Sequence, residues 1–126
     1  MKLTRLKIGG REFALAFTLD AMMELQDKID GFDMNELSNY VKTPSGMLDL
    51  LVAFARQGEY LEGRVLDADK HWFGAHISPA PSRIAKIQIA LLDALSVGMK
   101  MEMEDSEDRE VDVVLEGIKK KDATGN

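Results

Sequence analysis

Apolar residues alternate with polar or small ones in two short stretches near the start of the chain, then recur at helical spacing for most of its length. In the first stretch Thr4, Leu6 and Ile8 fall on one side and Leu3, Arg5 and Lys7 on the other. In the second, Phe13, Leu15 and Phe17 point one way, Ala14 and Ala16 the other. This period of two is that of a strand with one face covered. Gly9-Gly10 between them suits a type I′ turn, which needs positive φ at both central residues, so the two stretches predict a β-hairpin. A lone hairpin is marginal in water, and its apolar face must pack on something.

Helical spacing begins at once. Thr18 is placed as an N-cap, and Asp20 sits in the first turn, where the helix dipole favours an anion. Leu19, Met22, Met23, Gln26 and Ile29 share one broad face, with Leu25 beside it, and Gly31 is a natural stop. Asp33 and Glu36 have capping-box spacing for a short helix holding Met34, Leu37, Tyr40 and Val41. Thr43-Pro44 starts another, with Thr as cap and Pro at the first helical position. Its stripe of Met47, Leu50, Leu51 and Phe54, widened by Leu48, Val52 and Ala55, marks it as central. Gly58 and Gly63 loosen the next stretch, which is expected to be helical only in part. Asp67 is placed to cap a segment through Trp72 and Phe73. Ser78-Pro79 repeats the cap-then-proline signal and predicts a last long helix from Pro79 to Val97, with Ile84, Ile87, Leu91, Leu92 and Leu95 inward. After Gly98 the pattern changes and acidic residues take over. The expected architecture is therefore α+β and mostly helical. An N-terminal β-hairpin packs on a bundle of four or five helices in residues 1–103, followed by an acidic C-terminal tail in residues 104–126.

Charge sharpens this division. The net charge is −6, but residues 102–126 hold nine acidic and four basic side chains, whereas residues 1–101 hold thirteen and twelve. The body is nearly neutral and the tail acidic, so neither offers the basic field that nucleic acid requires. With 126 residues and 45% hydrophobic content, one modest core is the natural outcome. The chain has no cysteine, which excludes disulfides, zinc–thiolate sites and a thiol nucleophile and fits an intracellular protein. No apolar run has the length of a membrane span, and the first ten residues lack the apolar segment of a signal peptide.

Candidate chemistry is sparse. His71 and His76 are five residues apart, about 140° around a helix, which is wrong for a shared metal. No serine lies in a nucleophile elbow, and Gly9-Gly10 lacks the spacing of a phosphate loop. No cofactor and no enzymatic activity are expected. Trp72-Phe73 reads either as closure of the core or as an interface anchor, since Trp is enriched at hot spots. The apolar stripe of Met47, Leu51 and Phe54 offers a second candidate partner-binding set. The eight methionines, Met22, Met23 and Met47 among them, suit a groove that accommodates varied apolar helices. In the tail, Val111, Val114, Leu115 and Ile118 have the i, i+3, i+4, i+7 spacing of an amphipathic helix, too short to persist without docking on its own body, a partner or a second copy. Apolar stripes in excess of what one small body buries point to self-association.

The order of these elements resembles a known family. A hairpin leads through FTLDAMMELQDKIDGFDMNEL into MLDLLVAFARQGEYLEGRVLDADKHW, then SRIAKIQIALLDAL. Over residues 3 to 97 this is similar to the small tail assembly chaperones of long-tailed bacteriophages and prophages. Their short β-element precedes a helix with a Leu-Glu-like step, here Glu24-Leu25-Gln26. The resemblance rests on order and texture, and no family binding residue is carried over. It implies a non-enzymatic protein of the host bacterial cytoplasm that binds the tape measure protein, keeps it soluble during tail assembly and is absent from the finished virion. It also implies a longer product made by frameshifting, for which the Lys119–Lys121 run is a candidate slippery site. The competing expectations are a structural tail or head–tail connector protein and a small acidic regulatory adaptor.

Overall fold

The computed structural model describes residues 2–108. Strands β1 (Thr4–Ile8) and β2 (Arg11–Leu15) form an antiparallel hairpin, followed by α1 (Leu19–Lys28), a 3-10 turn (Met34–Glu36), α2 (Leu37–Lys42), α3 (Pro44–Leu61), α4 (Lys70–His76) and α5 (Pro81–Asp108). The result is the expected mostly helical α+β fold.

The hairpin register pairs Thr4 with Leu15, Leu6 with Phe13 and Ile8 with Arg11. Gly9 and Gly10 have φ of 58° and 78°, as the turn requires. Of the two faces of β2, the phenylalanine face enters the main core: Phe13 meets Phe73 edge-on at 5.1 Å, and Phe17 lies 5.5 Å from Phe54. The alanine face is buried as well, with Ala14 and Ala16 closing on Leu3.

Helix α3 is the axis of the molecule. Thr43 caps it by accepting from the Gly46 N–H at 3.2 Å, and residues 50 through 55 are all buried. It also covers the open edge of β2. The outward N–H of Ala16 donates to the Phe54 carbonyl at 3.0 Å, and that of Ala14 to the Glu59 carboxylate at 2.9 Å. Exposed strand edges template unwanted pairing, and here the edge is satisfied by a helix. The approach is close enough that a Cβ on Gly58 would sit 2.0 Å from the Ala14 carbonyl oxygen. Gly58 is thus a contact position inside an unbroken helix rather than the loosening element its type predicted.

Several local expectations shift by a turn or a face. In α1 the buried residues are Ala21 and Leu25, while Leu19 and Met23 are exposed. Small Ala21 lets the helix sit close, and Glu24 ion-pairs with Arg56 of α3 at 3.0 Å. Asp33 caps the 3-10 turn by accepting from the Asn35 N–H, but its own N–H donates to the Tyr40 hydroxyl, so the capping box is half made. Asp69, not Asp67, caps α4, accepting from the Trp72 N–H at 2.8 Å; Asp67 is engaged by Arg11 instead. Ser78 accepts from the Ala80 N–H in a turn, and α5 begins at Pro81. That helix does not end at Val97 but continues to Asp108, passing Gly98 where the backbone lies against Phe17. Its buried residues are Ile87, Ala90, Leu91 and Ala94, with Ile84 and Leu95 partly covered; Leu92 points outward.

Candidate partner-docking surface

Four of the residues singled out for partner binding belong to the core. Met47, Leu51, Phe54 and Phe73 are at most 4% exposed, because α3 is surrounded on nearly all sides. A partner cannot reach Leu51, Phe54 or Phe73 without unfolding the domain, and Met47 shows only its edge. Trp72 is half-buried: its ring stacks on His76 at 4.0 Å, meets Phe13 edge-on and lies under the Arg11 guanidinium at 5.1 Å. It closes the end of the core beneath the hairpin turn. Val111, Val114, Leu115 and Ile118 lie outside the described residues. Among the described residues the methionines do not converge on one groove either. Met47 is buried, Met22 partly so and Met23 exposed, and Met47 is the sole methionine in the shallow apolar hollow of about 190 Å³ between α3, α4 and the start of α5.

Leu19, Met23, Tyr60, Leu61 and Val65 are exposed elsewhere, and three more exposed apolar residues form a row on one helix. On α5, Ile89, Leu92 and Met99 are 66%, 47% and 48% exposed. With Ala85 and Ser96 they follow steps of four, three, four and three residues, the spacing of a coiled-coil seam. Lys86, Asp93 and Lys100 run alongside at the flanking positions. The core-facing stripe of the same helix, Ile84, Ile87, Leu91 and Ala94, is a separate row. Thus α5 is apolar on two faces, one spent on the domain and one open to solvent. The signal was present in the sequence, since IAKIQIALLDAL has more apolar positions than a single 100°-wide stripe uses. Assigning Leu92 to the inner row hid the outer one.

The polar constellations of the fold are structural. Arg64 donates to Glu59 at 2.8 Å and to Glu62 at 2.6 Å, and Arg5 of β1 forks onto Glu62. The Arg64 hydrogen bond holds the Glu59 carboxyl below its usual range, against the opposing effect of burial and with help from the Ala14 N–H. Arg5 and Arg64 do the same for Glu62, and Arg11 for Asp67. Each carboxylate is stabilised as an anion by a fixed guanidinium, an arrangement for pinning chain segments rather than for moving protons. Among the described residues no three His, Asp or Glu side chains converge as a metal site requires, and no helix is long and apolar enough to cross a membrane. Compared with protein-family models, curated proteins and solved structures, the chain matches none.

Proposed function

We propose that the protein is a non-enzymatic tail assembly chaperone of a long-tailed phage or prophage, holding its tape measure protein soluble in the host cytoplasm before the tail closes. The observation that carries this reading is the open seam of α5. A long helical protein awaiting assembly exposes apolar stripes, and a folded domain offering Ile89, Leu92 and Met99 at coiled-coil spacing supplies a complementary row. The order of hairpin and helices that resembles such chaperones adds to it. In this role the partner helix lies along α5, with Lys86, Asp93 and Lys100 setting register at the rim.

The test is co-expression with a tape-measure-like product, a long helical reading frame being expected beside this gene. The wild-type chain is expected to keep that product in the soluble fraction and to be captured with it. The double variant Ile89→Glu/Leu92→Glu, folded by circular dichroism, is expected to lose both. Capture that survives this variant removes the seam from the mechanism. Recovery of the chain in purified particles favours the structural tail protein instead.

A further inference from the structure

Of the twelve described lysines and arginines, six are paired and six are not, Lys2, Lys42 and Lys100 among the latter. Arg5, Arg11, Lys28, Arg56, Arg64 and Lys70 each ion-pair with a carboxylate. Lys7, Arg83 and Lys86 form no such pair among the described residues, yet they line one open groove of about 350 Å³ together with His76. Its lining contains no carboxylate, and Leu6, Ile8, Ile77 and Ile87 give it an apolar floor. Lys7 faces Glu12 across the hairpin without closing an ion pair, and Asp93, two turns further along the same face of α5 as Lys86, is engaged by the Thr4 hydroxyl at 2.6 Å. The groove also abuts the beginning of α5, whose first turn carries Arg83 and no acidic residue. A basic side chain there adds to the positive end of the helix dipole instead of offsetting it. Arg83 at the positive end of a 28-residue helix, with Lys86 a turn further on and Lys7 on the neighbouring strand, in a chain of net charge −6, is a local conflict that an anionic ligand relieves.

We infer that this groove binds the acidic run at residues 102–116 of a second copy of the chain. The chemistry matches: that run holds eight acidic side chains and one basic, interspersed with Met103, Val111, Val113, Val114 and Leu115 for the apolar floor. The length of α5 excludes the molecule's own run. Lys86 and Asp108 are 22 residues apart on one helix, about 33 Å at 1.5 Å per residue. A chain leaving Asp108 needs about ten fully extended residues to return that far, at roughly 3.3 Å each. It would arrive beyond Glu116, at Lys119–Lys121. The contact is therefore between molecules and heterologous, head to tail, so it generates rings or short chains of copies. It uses neither Ile89 nor Leu92, and shares with the proposed chaperone face only Lys86 at its rim.

Two full-length variants test this by sedimentation at about 10 mM and about 1 M salt, where the screening length falls from about 30 Å to about 3 Å. One is Arg83→Glu/Lys86→Glu; the other replaces Glu102, Glu104, Asp105, Glu107 and Asp108 by their amides. Wild type is expected to associate with rising concentration at low salt and to revert to single copies at high salt. Each variant is expected to associate more weakly by on the order of tenfold or more. Mixed together they are expected to form a one-to-one pair, since one keeps an intact acidic run and the other an intact groove. Arg83→Gln/Lys86→Gln serves if charge reversal impairs folding. Single copies of wild type at low salt, association that persists at high salt, or a mixture that does not pair overturns the inference. An added acidic peptide that binds the groove of a wild-type chain remaining single likewise overturns the second copy as occupant.

Discussion

Single residues decide how closely the hairpin meets the central helix. Gly58 and Glu59 act as a unit: the first removes the side chain that would hold α3 away from β2, and the second places a carboxylate on the Ala14 N–H. Gly58→Ala puts a methyl group 2.0 Å from a carbonyl oxygen of the backbone, which cannot rotate aside. The helix must retreat, straining the Ala16 to Phe54 bond. The expected loss is about 3 kcal/mol, from overpacking together with a weakened buried hydrogen bond, or roughly 10 °C in melting temperature. Gly74→Ala is the counter-case. Its added methyl meets only the Leu48 side chain at 3.4 Å, and replacing a helical glycine is expected to add about 0.5–1 kcal/mol of stability. Thermal melts of the two variants should move in opposite directions. Equal shifts would show that helix propensity, and not contact with β2, governs position 58. Composition alone names both residues as weak points in a helix, because the difference lies in a strand more than forty positions away in sequence.

At the scale of elements, the parts legible in the sequence are those set by local chemistry. The hairpin turn, the Thr18 and Thr43 caps and the centrality of α3 rest on residues within a few positions of one another. What failed to show was which side of a helix meets its neighbours. Leu91 and Leu92 are adjacent and chemically identical, yet one is fully buried and the other 47% exposed. Their roles depend on where β1, α2 and α3 sit, and the Thr4 to Asp93 and Gln88 to Val41 contacts fix that rotation against β1 and α2. The same dependence sent Leu19 outward and placed Ala21 at the interface with α3. Leu91→Ala should therefore destabilise by about 2–5 kcal/mol, as expected for a large-to-small core change. Leu92→Gln, on the open seam, should stay within about 0.5 kcal/mol in chemical denaturation. A comparable loss from both would mean that the outer row of α5 is covered in the isolated protein.

Across the whole molecule, ion pairs join the hairpin to the segment after α3. Arg5 on β1 holds Glu62, Arg11 on β2 holds Asp67, and Arg64 holds both Glu59 and Glu62. All three carboxylates have native proton affinities lowered by these partners. A carboxylate whose pKa is depressed on folding binds fewer protons in the native than in the unfolded chain. Its contribution is therefore complete above the ordinary range near 4 and is lost as pH falls through that range toward the lower native value. Melting temperature should be level from about pH 8 to pH 6 and decline below about pH 5. Glu62→Gln/Asp67→Asn should start lower at neutral pH and decline less steeply, so that the two curves converge in acid. The edge of β2 offers a finer reading of the same effect. The Ala14 N–H donates to the titratable Glu59 carboxylate, whereas the Ala16 N–H donates to the Phe54 carbonyl, which cannot titrate. Amide exchange followed by NMR should show Ala14 losing protection relative to Ala16 as pH falls. A constant ratio between the two amides would place the acid sensitivity away from this edge, on the exposed Arg5–Glu62 and Arg11–Asp67 pairs.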